Sequence, residues 1–167
     1  MRAWLAGGLT GLGVLLAAPL DAATTSTFTV TAQIAAGCLV VGGVTSYGVL
    51  NYGSQSALST GILSTALGGS MVTFQCTPGV AMSMSVDGGQ NSASGTRNLK
   101  RSSGTQVLAY QLYRDAAYSQ TLGIGQSVAV GYSDPTAIRL PVYGRVQLTG
   151  TLPAGTYTDV VQVTVTW

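Results

Sequence analysis

Cysteine and aspartate are the residue types of this sequence that are most able to take part in catalysis or metal binding. The 167-residue chain contains two cysteines, Cys38 and Cys76, and five acidic residues, all of them aspartate, but no His. His and Glu are the commonest general bases, and His is also the usual activator of nucleophiles and a leading ligand of transition metals. Without either residue, most hydrolytic and metal-dependent mechanisms are excluded.

The aspartates occupy positions typical of turns and strand ends. Asp87 lies in a Gly-rich turn, Asp134 precedes a proline, and Asp159 begins a strand-like run. A glycosidase needs a pair of carboxylates, but these three positions are ordinary structural ones for aspartate. The segment Gly123–Gly125 lacks the third glycine of a dinucleotide-binding loop. We therefore predict that the protein is not an enzyme and has no catalytic residue, no metal site and no cofactor.

The first 23 residues predict a secretory signal peptide. Arg2 is followed by an uncharged stretch rich in Leu and Ala, which ends at Leu20 and precedes small residues around Ala22 and Ala23. The apolar core is shorter than the roughly 20 residues that a membrane span needs. Residues 1–23 are therefore expected to be removed, and no later stretch is apolar enough for stable membrane insertion.

Export gives the two cysteines a structural role. In an oxidising compartment a single pair of cysteines is expected to form a disulfide, and only one pairing exists. A metal site or a reactive thiol is the alternative, but no His and no second cysteine pair supports either. A Cys38–Cys76 bond would stabilise the fold by about 4 kcal/mol in the chain-entropy treatment.

The low charge excludes two classes of partner. Only 7% of the residues are charged and the formal net charge is +2, whereas an ordinary soluble domain has about 25% charged residues. So weak a field attracts neither nucleic acid nor acidic lipid surfaces. The one basic cluster, Arg97–Arg101, has no interleaved aromatic residue and is interpreted as a solvated loop. Arg114 and Asp115 are expected to form a structural ion pair or a turn contact.

The mature region shows a hydrophobic period of two residues, which is typical of β-strands. The run Thr27–Ala35 alternates apolar and polar side chains, and so does the C-terminal run that carries Val161, Val163, Val165 and Trp167. Further short runs, separated by turn-rich segments, cover residues 47–52, 71–76, 81–86, 107–113, 127–130 and 141–148. This spacing predicts an all-β, immunoglobulin-like antiparallel sandwich.

The two terminal runs have unusually unprotected edges. Thr27–Ala35 and Asp159–Trp167 contain no Lys, Pro or Gly, the residues that commonly protect an edge strand. Such a strand either aggregates or completes the sheet of another subunit. An ordinary edge strand paired inside its own domain is an equally weighted interpretation.

Several segments, spread in order over the mature chain, resemble the spore coat protein U domain of Csu-type archaic chaperone-usher pilins. Besides the two cysteines, these segments are TFQCTPG (73–79), SVDGGQ (85–90), AYQLYRDA (109–116), VYGR (142–145) and AGTYTDVVQVTVTW (154–167). The resemblance implies a pilin domain over residues 37–167 that lacks its last strand. It also implies a donor strand over residues 24–36 that fills the groove of a neighbouring subunit.

The resemblance further implies partners and a location. Phe28, Val30, Ala32 and Ile34 map to the groove-filling side chains of the donor strand, and Val161, Val163, Val165 and Trp167 map to a strand that pairs with a chaperone. The implied partners are a periplasmic pilus chaperone, an outer-membrane usher, and identical or related pilin subunits. The protein would pass through the periplasm and end at the cell surface.

Three functions follow as alternatives. The leading one is a structural pilus subunit that polymerises by donor-strand complementation for attachment and biofilm formation. A tip adhesin or carbohydrate-binding module is the second, and its glycan surface would use tyrosines such as Tyr110, Tyr113, Tyr143 and Tyr157. Tyrosines of this kind are expected more often to cap cores and subunit contacts. A secreted spore-coat or matrix protein is the third. The expectation of a single domain favours the repeating subunit over the tip.

Overall fold

The computed structural model describes residues 26–43, 46–68 and 72–167. All the regular elements assigned in these ranges are β-strands. These ranges contain no helix long and apolar enough to cross a membrane. The predicted signal peptide, residues 1–23, lies outside the described residues. Contacts divide the chain into two units after Ile34, and residues 35–167 form one of them, which we call the compact unit.

Ten strands are assigned in the described residues of the compact unit. They are β1 (Cys38–Val41), β2 (Ile62–Ala66), β3 (Thr73–Cys76), β4 (Met82–Val86), β5 (Arg97–Arg101), β6 (Val107–Tyr113), β7 (Val128–Val130), β8 (Tyr143–Gln147), β9 (Tyr157–Thr158) and β10 (Val163–Thr166). All pairings between them are antiparallel.

The strands form three sheets. The largest has five strands in the order β2-β8-β6-β5-β9, a second has three in the order β10-β4-β7, and β1 pairs with β3 in a third. Cys38 lies opposite Cys76 in the β1–β3 pair, and the two are joined by a disulfide. The predicted disulfide is therefore confirmed.

The core is formed by side chains on one face of each sheet, and buried and less buried residues alternate along the strands. Phe74 of β3, Met84 of β4, Leu112 of β6 and Val146 of β8 are almost fully buried, each with polar or exposed neighbours on its own strand. Alternation of this kind is expected when one face of a sheet packs on a core. The prediction of an all-β antiparallel fold is confirmed.

Individual strands agree with the sequence to different degrees. The run 107–113 is β6 residue for residue, and 81–86, 127–130 and 141–148 each contain a strand. The run 47–52 was expected to be a strand and forms only the bridge Val49–Gly68, because Gly48 adopts a φ of 121° that interrupts an extended strand. The run 71–76 gives β3 from Thr73, while residue 71 lies outside the described ranges.

The interpretation of Arg97–Arg101 as a solvated loop is wrong. These residues form β5, and Arg97 is only 4% exposed. Its guanidinium donates to the backbone carbonyl oxygens of Val86 (2.8 Å) and Leu122 (2.7 Å), and through Nε to that of Asp87 (2.7 Å). The charge is buried because these carbonyls replace water as its hydrogen-bond acceptors.

Candidate functional site

The C-terminal strand β10 has an incompletely covered inner face. Val163 lies opposite Val86, and Val165 lies opposite Met84, so each pair shares the core-facing side of the sheet. Val86 and Met84 are each 1% exposed, whereas Val163 and Val165 are only half-buried. Among the described strands β10 pairs only with β4, so its second edge is open.

Strand β1 shows the same deficit. Val40 lies opposite Phe74, which is 1% exposed, yet Val40 itself is 38% exposed. Within the part of the chain that the structure describes, β1 pairs only with β3. Its outer edge therefore also presents unpaired backbone groups beside apolar side chains.

The start of β1 and the end of β10 lie near one another at one end of the domain. A Cβ built on Gly37, the residue before β1, would lie 4.0 Å from Nε1 of Trp167, the residue after β10. We call these two edges, Cys38–Val41 and Val163–Thr166, the open-edge site. Unpaired N–H and C=O groups next to a half-covered apolar face are the features that accept an added strand.

Two aspartates hold the chain that leads into β10. Asp87 Oδ1 accepts from the backbone N–H of Gln162 (2.9 Å), and the N–H of Asp87 donates to the carbonyl of Gln162 (3.0 Å). Asp159 accepts from Asn91, both from its backbone N–H (3.1 Å) and from its side-chain amide (3.0 Å). These contacts fix β10 against β4 without help from its open edge.

Asp159 also accepts a hydrogen bond from the Tyr110 hydroxyl, at 2.8 Å. Burial raises the pKa of Tyr110, and this hydrogen bond to a carboxylate raises it further. The phenol therefore stays protonated and serves as a structural donor. Tyr110 and Tyr113 are both buried, and Tyr143 and Tyr157 are half-buried, so Tyr110 and Tyr113 offer no open ring for stacking on a sugar.

The remaining acidic residues in the described ranges cap turns. Asp115 accepts from the backbone N–H groups of Ser119 and Gln120, which confirms the expected turn contact at this position. Asp134 accepts from the backbone and hydroxyl of Thr136. In the residues that the structure covers, no cluster of three or more His, Cys, Asp or Glu side chains is arranged to hold a metal ion.

The candidate donor segment has no regular secondary structure. Residues 26–37 form no strand, and Phe28 and Ile34 are 87% and 95% exposed, with Val30 and Ala32 also exposed. The predicted strand over 27–35 is therefore absent from this chain alone. The groove-filling role of its side chains remains a prediction.

Of the four residues assigned to the C-terminal strand, Val163 and Val165 belong to the open-edge site, and Val161 and Trp167 flank β10. Val161, Val163 and Val165 pack against the core and are half-buried, and Trp167 is 52% exposed. Sequence reasoning missed the contribution of β1, because only the structure shows that Val40 is less covered than its cross-strand partner. Pairing of this strand with a chaperone remains a prediction.

Comparisons with known proteins give a family match over most of the chain. The Spore Coat Protein U domain family matches residues 24–164. No curated protein sequence matches the chain.

Solved structures of pilus subunit complexes are among those similar to it. One is the CsuC–CsuE chaperone–tip adhesion subunit pre-assembly complex from archaic chaperone-usher Csu pili of Acinetobacter baumannii, with 17% identity, a TM-score of 0.50, and coverage of 80% of this chain and 40% of that one. The other is a chaperone–tip adhesin complex of CFA/I fimbriae, with 19% identity, a TM-score of 0.44, and coverage of 78% and 41%. The chain thus spans less than half the length of these matched chains.

Proposed function

The chain belongs to the Spore Coat Protein U domain family, and we propose on that basis that it is a structural subunit of a secreted chaperone-usher pilus. In this proposal the subunits polymerise by donor-strand complementation at the open-edge site. The fibre serves surface attachment and biofilm formation, and neither catalysis nor a cofactor is involved. The mature chain passes through the periplasm before it reaches the cell surface.

The difference in burial between opposite residues of β4 and β10 carries the proposal. Met84 and Val86 are covered completely, while Val165 and Val163 are not, although each pair shares one face of one sheet. One further strand along β10 would remove this difference and would pair the open edge at the same time. A missing strand is thus the simplest unit that completes the fold.

The segment 26–34 has the pattern that such a strand needs. Its apolar side chains at Phe28, Val30, Ala32 and Ile34 alternate with polar ones, so an extended backbone turns all four to one face. Burial of the three larger side chains contributes about 1 to 3 kcal/mol each, and Ala32 contributes least. A continuous ladder of backbone hydrogen bonds adds to this, which makes dissociation slow.

The same open edge explains the proposed chaperone. A subunit that exposes β10 and β1 before assembly needs a temporary strand there. Strand β10, which begins two residues after Val161 and ends directly before Trp167, offers the edge for pairing. The similar Csu structure is a chaperone–subunit complex, which supports a chaperone partner for this chain as well. An outer-membrane usher would then exchange the chaperone for the next subunit.

Gel mobility without boiling tests the proposal. Protein sheared from the cell surface is run in SDS before and after heating. A ladder of multimers that collapses to one monomer band on heating supports strand exchange, because a fully paired and buried strand dissociates too slowly to be released by SDS without heat. A single monomer band in both lanes contradicts it and favours a coat or matrix protein.

A further inference from the structure

We infer that successive copies of this chain also bind one another end to end, through an apolar groove at one end of the domain and exposed apolar residues at the other. The inference rests on the proposed strand exchange and adds a second contact to it. The partner is a second copy of the chain.

The connection between the donor segment and the domain is short. Gly37 is held at the domain by Thr77, whose backbone N–H donates to the Gly37 carbonyl (2.9 Å) and whose hydroxyl accepts from the Gly37 N–H (3.2 Å). Three peptide units separate Gly37 from Ile34, and they span at most about 11 Å. When Ile34 is inserted in a neighbouring copy, the Gly37 end of this domain must therefore lie against that neighbour.

An apolar groove opens at this same end, which we call the exit end. The groove has a volume of about 510 Å³, and its lining includes Pro78, Val80, Ala81, Tyr132 and Pro135. Pro78 directly follows the Thr77 that holds Gly37, so the donor segment joins the domain beside the rim of the groove.

The walls of the groove are fixed to one another. The Tyr132 hydroxyl donates to the carbonyl of Val80, and the backbone N–H of Cys76 donates to the carbonyl of Pro135 at 2.8 Å. Cys76 is also tied to β1 by the disulfide. A groove held at both walls is ready to bind without the cost of ordering a loop.

Exposed apolar residues lie at the opposite end of the domain, the far end. Thr166 pairs with Ser83 near the beginning of β4, whereas Val163 pairs with Val86 at its end, so the two ends of β10 mark the two ends of the sheet. At the Val86 end, Ile124 bridges to Val86 and is 43% exposed. Val160 is 60% exposed there, and its carbonyl accepts from the N–H of Gln90 in the turn after β4.

Strand direction brings the exit end of one copy to the far end of the next. The named strands of the domain pair antiparallel throughout, so an added strand is expected to run antiparallel to β10. Ile34, at the end of the donor segment, then lies beside the beginning of β10 in the receiving copy. The exit-end groove, which follows within about 11 Å, reaches the surface formed by Val160 and Ile124.

The contact uses two different patches, so it repeats along a chain of subunits instead of closing a symmetric dimer. Each copy offers one groove and one far-end patch, which matches the one donor segment and one open-edge site of each copy. The added contact restricts how far neighbouring subunits tilt about the short connection.

Site-specific photo-crosslinking in assembled fibres tests the inference. A benzophenone amino acid replaces Ala81, which is exposed and lines the exit-end groove, and a matched sample carries it in place of Ala109, which is exposed on β6. After irradiation, crosslinked dimers are isolated and the linked peptides are identified by mass spectrometry. We expect a dimer from position 81 whose partner peptide contains Val160 or Ile124, and about tenfold less from position 109. Val160→Asp should reduce the position-81 crosslink by about tenfold and leave the unboiled ladder intact.

The experiment distinguishes an error in the end-to-end contact from an error in strand exchange. If the ladder forms but position 81 crosslinks no better than position 109, or links to another part of the neighbour or to another protein, the end-to-end contact is wrong and strand exchange stands. If no ladder forms even in the unlabelled protein, strand exchange is wrong and the contact that rests on it falls too.

Discussion

Val163 of β10 lies directly opposite Val86 of β4, and the two valines share one face of one sheet but not the same burial. Val86 is 1% exposed, while Val163 is half-buried. Val165 and Met84 repeat the relationship two residues further along. This difference is the observation from which we propose that a further strand belongs next to β10.

Charge on the inner face of β10 should block assembly. In Val165→Asp a carboxylate would have to be buried beneath the incoming strand without a partner, which costs several kcal/mol. Thr164→Asp is the matched control, because Thr164 is exposed on the other face of the same strand. We expect the unboiled ladder to disappear in Val165→Asp and to persist in Thr164→Asp. Equal ladders from both variants would argue against β10 as the acceptor.

Removal of Arg97 should destabilise the domain. In Arg97→Leu the carbonyls of Val86 and Leu122 lose their buried donor, and we expect the free energy of unfolding to fall by about 3 kcal/mol. Lys100→Leu changes an exposed residue of the same strand and should shift it by no more than about 0.5 kcal/mol. Guanidinium denaturation of the two variants gives the comparison, and similar midpoints would contradict the structural role of Arg97.

Loss of the disulfide should lower the stability of the fold and loosen β1 in the open-edge site. The bond closes a separation of 38 residues and ties β1 to β3, so the double variant Cys38→Ser, Cys76→Ser is expected to lose about 4 kcal/mol. Reductant should lower the free energy of unfolding of the wild type by the same amount and leave that of the variant unchanged. A reductant effect on the variant would point to a different origin of the shift.

Two tyrosine hydroxyls should respond oppositely to removal. Among the described residues, the buried Tyr52 hydroxyl has no hydrogen-bond partner, whereas that of Tyr110 donates to Asp159. Tyr52→Phe is therefore expected to be neutral or to stabilise by about 1 kcal/mol, and Tyr110→Phe to destabilise by about 1 to 3 kcal/mol. Thermal melts at pH 7 measure both, and the reverse order would contradict the hydrogen-bond assignment.

Tyr52 also predicts a loss of folding stability at alkaline pH. Burial, together with the nearby Tyr118, raises the pKa of Tyr52 from 10.0 to about 12. The folded state thus holds this proton more tightly than the unfolded one, so the contribution is complete below about pH 10 and is lost as the pH rises towards 12. Tyr52→Phe should lose less stability than the wild type over this interval. Identical pH profiles would show that Tyr52 titrates normally.

The sequence indicates the all-β fold and the disulfide because both depend on local pattern and composition. The run 107–113 alternates cleanly between turns and becomes β6, and two cysteines in a chain that is expected to be exported have one pairing. Arg97 was misjudged because its acceptors are carbonyls of Val86 and Leu122, which are distant in sequence and carry no side-chain signal.

Only the β10 part of the open-edge site could be predicted from the sequence. The alternation of Val163 and Val165 looks the same whether a strand has one neighbour or two, so the sequence alone left open whether β10 is an ordinary edge. The burial of their partners Val86 and Met84 shows that the inner face of β10 is less covered than that of β4, and the role of its open edge stays a proposal. The contribution of β1 depends on Val40, which follows Cys38 and belonged to no predicted strand.

Co-expression of two defective variants tests the central claim most directly. Phe28→Asp with Ile34→Asp disables the donor segment but keeps the open-edge site, and Val165→Asp disables the open-edge site but keeps the donor segment. Alone, each should run as a monomer on an unboiled gel; together they should give a heat-sensitive dimer and nothing larger, because one copy can only accept and the other can only donate. A ladder from either variant alone, or no dimer from the pair, would contradict strand exchange between copies of this chain.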